Sequence, residues 1–202
     1  PFQWTKQVAS HFGGTRNSMI VSWPAKIKEG GVIRSQFHHV IDLMPTLMEV
    51  AGIREAKEVN GYVQKPIEGV SFAYTFDQAN ADAPSKRKLQ YFEMLGNRAI
   101  YADGWIASCR HGRLPWETAG SYSFADDKWE LYDITTDFSQ AVDLADQHPE
   151  KVDFLKSVFI SEATKYNVLP IDDRFSERLD VTLRPSYFHG RKQVTFYPGM
   201  TR

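Results

Sequence analysis

The 202-residue sequence holds a single cysteine, Cys109, which excludes an internal disulfide and a thiolate metal cage. Long apolar runs are missing as well, since none approaches the roughly 18 residues that a membrane-spanning helix needs. Neither sign of charge dominates. With 24 Lys+Arg against 25 Asp+Glu and a net charge of −1, there is no global field to gather nucleic acid or an acidic membrane, so neither is expected as a partner. The nucleophile elbow G-x-S-x-G and the phosphate loop G-x-x-x-x-G-K-[ST] are both absent. Also lacking are an initiator Met and a basic-then-apolar leader. The chain opens on Pro1 and closes on turn residues, Tyr197 to Arg202, so we expect the natural chain to continue on both sides. What is present is the composition of an ordinary globular protein, 42% hydrophobic and 13% aromatic, long enough to bury about 70% of its unfolded surface.

Hydrophobic patterning divides the chain. Met19, Ile20, Val21 and Trp23 form a run ended by Pro24 that predicts a mostly buried strand, entered through a tight turn at Gly13-Gly14. From Phe37 the sequence turns apolar, and Asp42 as N-cap, Pro45 in the first turn and Gly52 at the end predict a helix over Leu43–Ala51. The stretch from Gln78 to Lys88 reads as a solvated linker. Beyond it lie strand candidates at Leu89–Met94, Arg98–Ala102, Trp105–Cys109 and Trp129–Ile134. Asp103-Gly104 supplies a two-residue hairpin turn that requires positive φ. The connection from Arg110 to Lys128 is too long for a plain hairpin, which makes it a candidate functional loop. Pro149 starts a helix whose Val152, Leu155, Phe159, Ala163 and Tyr166 recur at spacings of three and four. The predicted organisation is therefore α/β: residues 1–85, then an antiparallel sheet with one packed helix over 86–168, then an extension over 169–202.

Few residues advertise chemistry by themselves. With the nucleophile elbows absent, a nucleophilic reading falls on Cys109, with His111 and Arg113 close by in CRHGR, but a half-buried strand position accounts for it. His38 and His39 are neighbours, which on an extended chain point to opposite faces and cannot share one metal ion. Lys86-Arg87-Lys88 has no aromatic platform and reads as a solvated loop. Lys6 alone reads as a surface lysine.

Context changes the weight of Lys6. The stretch WTKQVASHFGGTRNSMIVSWPAKI, from Trp4 to Ile27, resembles the sulfatase segment that runs from the sulfate-binding lysine through an EGG-x-R-type turn to a strand ending W-P. VIDLMPTLMEVAGI (Val40–Ile53), PIEGVSF (Pro66–Phe72), GNRAIYADGWIA (Gly96–Ala107) and WELYDITTDFSQAVDLADQHPE (Trp129–Glu150) are similar to further sulfatase segments in the same order, over about residues 1–168. Glu68 stands where the family often carries Asp. The resemblance is to the C-terminal portion of a bacterial-type arylsulfatase. It implies the end of an alkaline-phosphatase-like α/β domain, followed by a small subdomain of antiparallel strands with one packed helix. It also implies sulfate-ester hydrolysis by the complete protein, with Lys6 as the catalytic, sulfate-binding residue and a small-molecule sulfate ester as substrate. His111 and Trp116, in the long connection, would face the substrate mouth, and Arg16 would anchor its turn through a carboxylate. The family's calcium ion and formylglycine are implied as cofactors, but no C/S-x-P-x-R segment occurs in this chain. Their ligands and the nucleophile are expected in a missing N-terminal part, and this fragment alone is expected to be inactive. Two alternatives compete: a phosphonate or phosphodiester hydrolase of the same superfamily, and a noncatalytic binding domain. The compartment stays open.

Overall fold

The computed structural model describes residues 1–112, 114, 116, 117, 122–174 and 180. In chain order its regular elements are a helical turn α1 (Phe12–Thr15), helix α2 (Leu43–Ala51), a two-residue ladder of β1 (Glu58–Val59) with β2 (Tyr62–Val63), strands β3 (Leu89–Met94), β4 (Asn97–Ala102), β5 (Trp105–Cys109) and β6 (Trp129–Asp133), and helix α3 (Pro149–Lys165). Most of the expected 169–202 extension, and part of the Arg110 to Lys128 connection, lie outside the described residues.

Strands β3 to β6 form an antiparallel sheet in sequence order. Asp103 and Gly104 join β4 to β5 with φ of 43° and 92°, the doubly left-handed turn whose twist matches a hairpin. The register sets Ala102 opposite Trp105 and Arg98 opposite Cys109. Alternation then sends Ile100, Ala107 and Leu131 to one face, where Val152, Leu155, Phe159 and Ala163 of α3 cover them. Ala99, Ile106 and Tyr132 point to the other face and meet Phe12. Both faces are thus covered, α3 on one and the N-terminal segment on the other. That is why β4 and β5 are buried along nearly their whole length instead of showing a wet side.

Helix α2 ends at Gly52 in the left-handed conformation, φ 66°, as the sequence predicts, but its N-terminal device differs. Asp42 makes no side-chain cap to α2. Its buried carboxylate accepts from the backbone N–H groups of His39 (2.8 Å) and Val70 (2.7 Å) and from Arg87 Nε (2.8 Å to Oδ2), and it pairs with Arg87 Nη2 as well. Arg87 is only 7% exposed, so the stretch read as a solvated linker is pinned down. Gln36 Nε2 reaches the carbonyls of Asn80, Ala81 and Ala83, the Ser85 hydroxyl accepts from Phe37 N–H at 2.7 Å, and Phe37 stacks on Tyr101 at 3.7 Å.

Two further expectations are corrected. Met19 to Trp23 form no strand. Ile20 is 94% exposed, because among the described residues no strand pairs with this run, and a lone strand has nothing to satisfy its backbone or cover its side chains. Arg16 engages no carboxylate among the described residues. Its guanidinium lies over Phe138 at 4.0 Å, with Phe2 and Phe12 alongside, and donates to the Phe138 carbonyl at 3.2 Å, a planar cation on aromatic faces.

Candidate active-site cleft

Lys6 sits on a loop under local strain. Trp4 and Gln7 on either side of it have φ of 61° and 75°, a left-handed conformation that is uncommon outside glycine and that gathers at functional sites. The loop is seated by Gly13 and Gly14. A Cβ on Gly13 would come within 2.0 Å of the Trp4 carbonyl oxygen, and one on Gly14 within 2.1 Å of the Val8 carbonyl oxygen. These glycines therefore permit backbone to approach backbone, where the sequence suggested only a sharp turn.

The exposed Lys6 side chain lines an open cleft of about 870 Å³ shared with His39, Glu68, Arg87, Tyr91 and Lys165. Two of its cations are already engaged, Arg87 by Asp42 and Lys165 by Glu68 at 3.4 Å. Lys6 makes no ion pair among the described residues. Glu93 and Glu162 also line the cleft, so an anion entering it meets a single uncommitted ammonium, Lys6, in mixed-charge surroundings. His39, on the same cleft, is kept below its ordinary value of 6.5, first by burial and then by the Arg87 charge, so near neutrality it adds no second positive charge.

The other two expected site residues are not brought to this cleft. His111 turns inward and is 0% exposed. Its Nδ1 lies 2.8 Å from Asp127 Oδ1 and its Nε2 3.3 Å from Asp173 Oδ2, and its ring stacks on Phe124 at 4.1 Å. Asp127 is shared with Arg98 Nη1 at 2.6 Å, so a buried ionic group occupies the place given to a rim residue. Trp116 is 67% exposed. A smaller cleft of about 240 Å³ lies beside His111, lined by Arg110, Gly112, Tyr122, Asp127, Lys128 and Glu130.

Sequence reasoning missed the residues that hold the Lys6 loop. Fully buried His11 bonds through Nε2 to Glu130 Oε2 at 2.8 Å and through Nδ1 to Ser10 Oγ at 2.9 Å. Burial works to raise the Glu130 carboxyl, but the His11 hydrogen bond and charge outweigh it and hold the group below its ordinary value. Gln140, also fully buried, accepts from Phe12 N–H at 2.7 Å and donates to Ser108 Oγ at 3.1 Å. Alternation along WELYD could have set Glu130 on the face opposite Leu131. Nothing in the polar stretch around Gln140 singles it out.

The described residues do not fit the calcium ion or the formylglycine. No group of three or more His, Cys, Asp or Glu side chains among them could hold a metal ion. Cys109 is a buried thiol raised to about 12, chiefly by burial.

No family model matches the chain. It is similar to a sulfatase of Formosa agariphila, with 26% identity over 144 residues, which is 69% of this chain and 24% of that protein. The chain thus spans about a quarter of the length of the curated relative it matches. Among solved structures it is similar to a sulfatase chain of Bacteroides thetaiotaomicron, described with the metabolism of multiple glycosaminoglycans, at TM-score 0.56 and 21% identity over 78% of this chain and 31% of that one. The sheet with its packed helix is therefore a sulfatase-type fold, and the sequence likeness is to a sulfatase.

Proposed function

We propose that this chain is part of a sulfuric ester hydrolase of the arylsulfatase type, to which it contributes Lys6 and part of the pocket rim. One observation carries the reading: the lysine matching the sulfatase motif is the cleft cation without an ion pair among the described residues. Cleaving a sulfate ester develops charge on the nonbridging oxygens and on the departing oxygen, and a preorganised ammonium stabilises both. A lysine suits a site that needs a compact point charge without bidentate geometry. Glu68 and Tyr91, which line the Lys6 cleft, belong to the rim in this reading, while His111 and Trp116 lie off it. The nucleophile and any metal ligands are contributed by other parts of the intact protein, so the 202-residue chain alone turns over no sulfate ester.

The test is turnover of 4-nitrophenyl sulfate by the intact protein and its Lys6→Ala variant. The variant should lose about 10²–10³ in kcat, the range for one preorganised donor. A loss below roughly threefold would reduce Lys6 to a surface residue.

A further inference from the structure

We propose that Gln140 is a positioning residue for Lys6, so that the sheet after the linker sets the geometry of the catalytic cleft. The inference rests on the sulfate-binding reading of Lys6 and adds to it a residue that touches no substrate.

Gln140 lies between β6 and α3, outside any regular element, with φ 59° and no exposed surface. All its side-chain bonds and its carbonyl serve the contact between the sheet and the segment that carries Lys6. Its carbonyl accepts from Gln3 Nε2, three residues before Lys6. Its Oε1 accepts from Phe12 N–H, at the start of the turn whose Gly13 and Gly14 press on the Trp4 and Val8 carbonyls. Its Nε2 donates to Ser108 Oγ, near the end of β5, the strand buried between both faces. One buried residue thus links a central strand to both ends of the strained Lys6 loop, through its side-chain amide on the Phe12 side and its main-chain carbonyl on the Gln3 side. A group held between a central strand and a loop under strain keeps that loop's side chain within the tolerance that charge stabilisation requires.

The same residue could instead serve folding alone, and a double-mutant cycle in the intact protein separates the two roles. Gln140→Ala removes both side-chain bonds. Gln140→Glu keeps them in its protonated form, which a site with no exposed surface favours: the carboxyl C=O accepts from Phe12 N–H and the O–H donates to Ser108 Oγ. The expected result with 4-nitrophenyl sulfate is a loss of roughly 10- to 100-fold in kcat for Gln140→Ala, with KM changed less than about threefold. Gln140→Glu should recover most of that loss, and Gln140→Ala should cost less than about twofold in a Lys6→Ala background. An equal fold-loss in both backgrounds, or unchanged kcat for Gln140→Ala while Lys6→Ala is impaired, would overturn the inference and leave the sulfatase reading standing. A silent Lys6→Ala would remove both. If Gln140→Ala does not fold, Gln3→Ala takes its place in the cycle. It removes the bond to the Gln140 carbonyl together with the longer one to Tyr132 Oη at 3.4 Å, and the same dependence on Lys6 is required of it.

Discussion

His11 and Glu130 lie 119 residues apart and meet at 2.8 Å, imidazole Nε2 to carboxylate Oε2. Through this contact the first 16 residues become a layer on the sheet. On the sheet's other face the cover is a helix read from spacing alone; here it is a segment held by Phe12 packing on Ala99, Ile106 and Tyr132 and by specific polar bonds such as this one. Where polar bonds between distant segments define a cleft, its geometry is more sensitive to single substitutions than to the size of the core.

The Asp42–Arg87 pair should show this most plainly. Both side chains are buried, and the carboxylate also accepts two backbone N–H groups. Arg87→Met strands that charge and should cost about 3–5 kcal/mol in urea unfolding. The double variant Asp42→Leu with Arg87→Met should recover part of the loss, because no unpaired charge remains.

Acid should destabilise the protein in two steps. His38 and His39 are held below 6.5, in each case first by burial, and His39 Nδ1 accepts from Ile41 N–H, a bond that a protonated ring loses. The folded state therefore binds these protons less readily than the unfolded chain. The stability they contribute is complete above pH 6.5 and is lost as pH falls through their lowered values. For Asp42 and Glu130 burial pulls upward, but the bonds from Arg87 and His11 prevail and both groups lie below their ordinary 3.8 and 4.5. Their contribution is lost at lower pH still, by the same sign. Tm against pH should show an upper decline beginning near 6.5 that is absent in a His38→Gln, His39→Gln variant; an unchanged upper decline would assign it elsewhere.

Gly13→Ala sets a methyl against a backbone oxygen that cannot move aside cheaply. It should destabilise by about 1–3 kcal/mol and disturb the Lys6 loop in proportion. Gly30→Ala, where a Cβ meets nothing within 4 Å, should stay within about 0.5 kcal/mol of the parent. Thermal and urea unfolding of the two side by side would check the contrast.

Cys109→Ala should lower stability by about 1 kcal/mol and leave kcat of the intact protein within a few-fold. Formylglycine at Cys109 by mass spectrometry, or abolished turnover in a folded variant, would contradict this.

Much of the fold was legible because local chemistry decided it. Asp103-Gly104 dictates a hairpin, Gly52 ends α2 and Pro149 begins α3, each for a reason contained within a few residues. Arg87 was not legible. In a run of three basic residues nothing marks which one turns inward, and its partner lies 45 positions away. The Met19–Trp23 run shows the opposite failure: apolar content says that a segment favours cover, not that cover is present among the described residues. Of the candidate site, Lys6 was singled out through family likeness alone, and it lines an open cleft. Gln140 and Glu130 were not, because polar residues that clamp distant backbone leave no periodic trace.

The lone thiol has a use that follows from its seat. Cys109 is on a central strand, fully buried, and pushed up to about 12 by that burial, so the native molecule presents almost no thiolate to an alkylating reagent. Modification can proceed only when the strand is transiently released, and with fast reclosing its rate reads the free energy of that opening. One residue thus makes the sheet a built-in gauge of its own integrity, with no dye or label added to the chain.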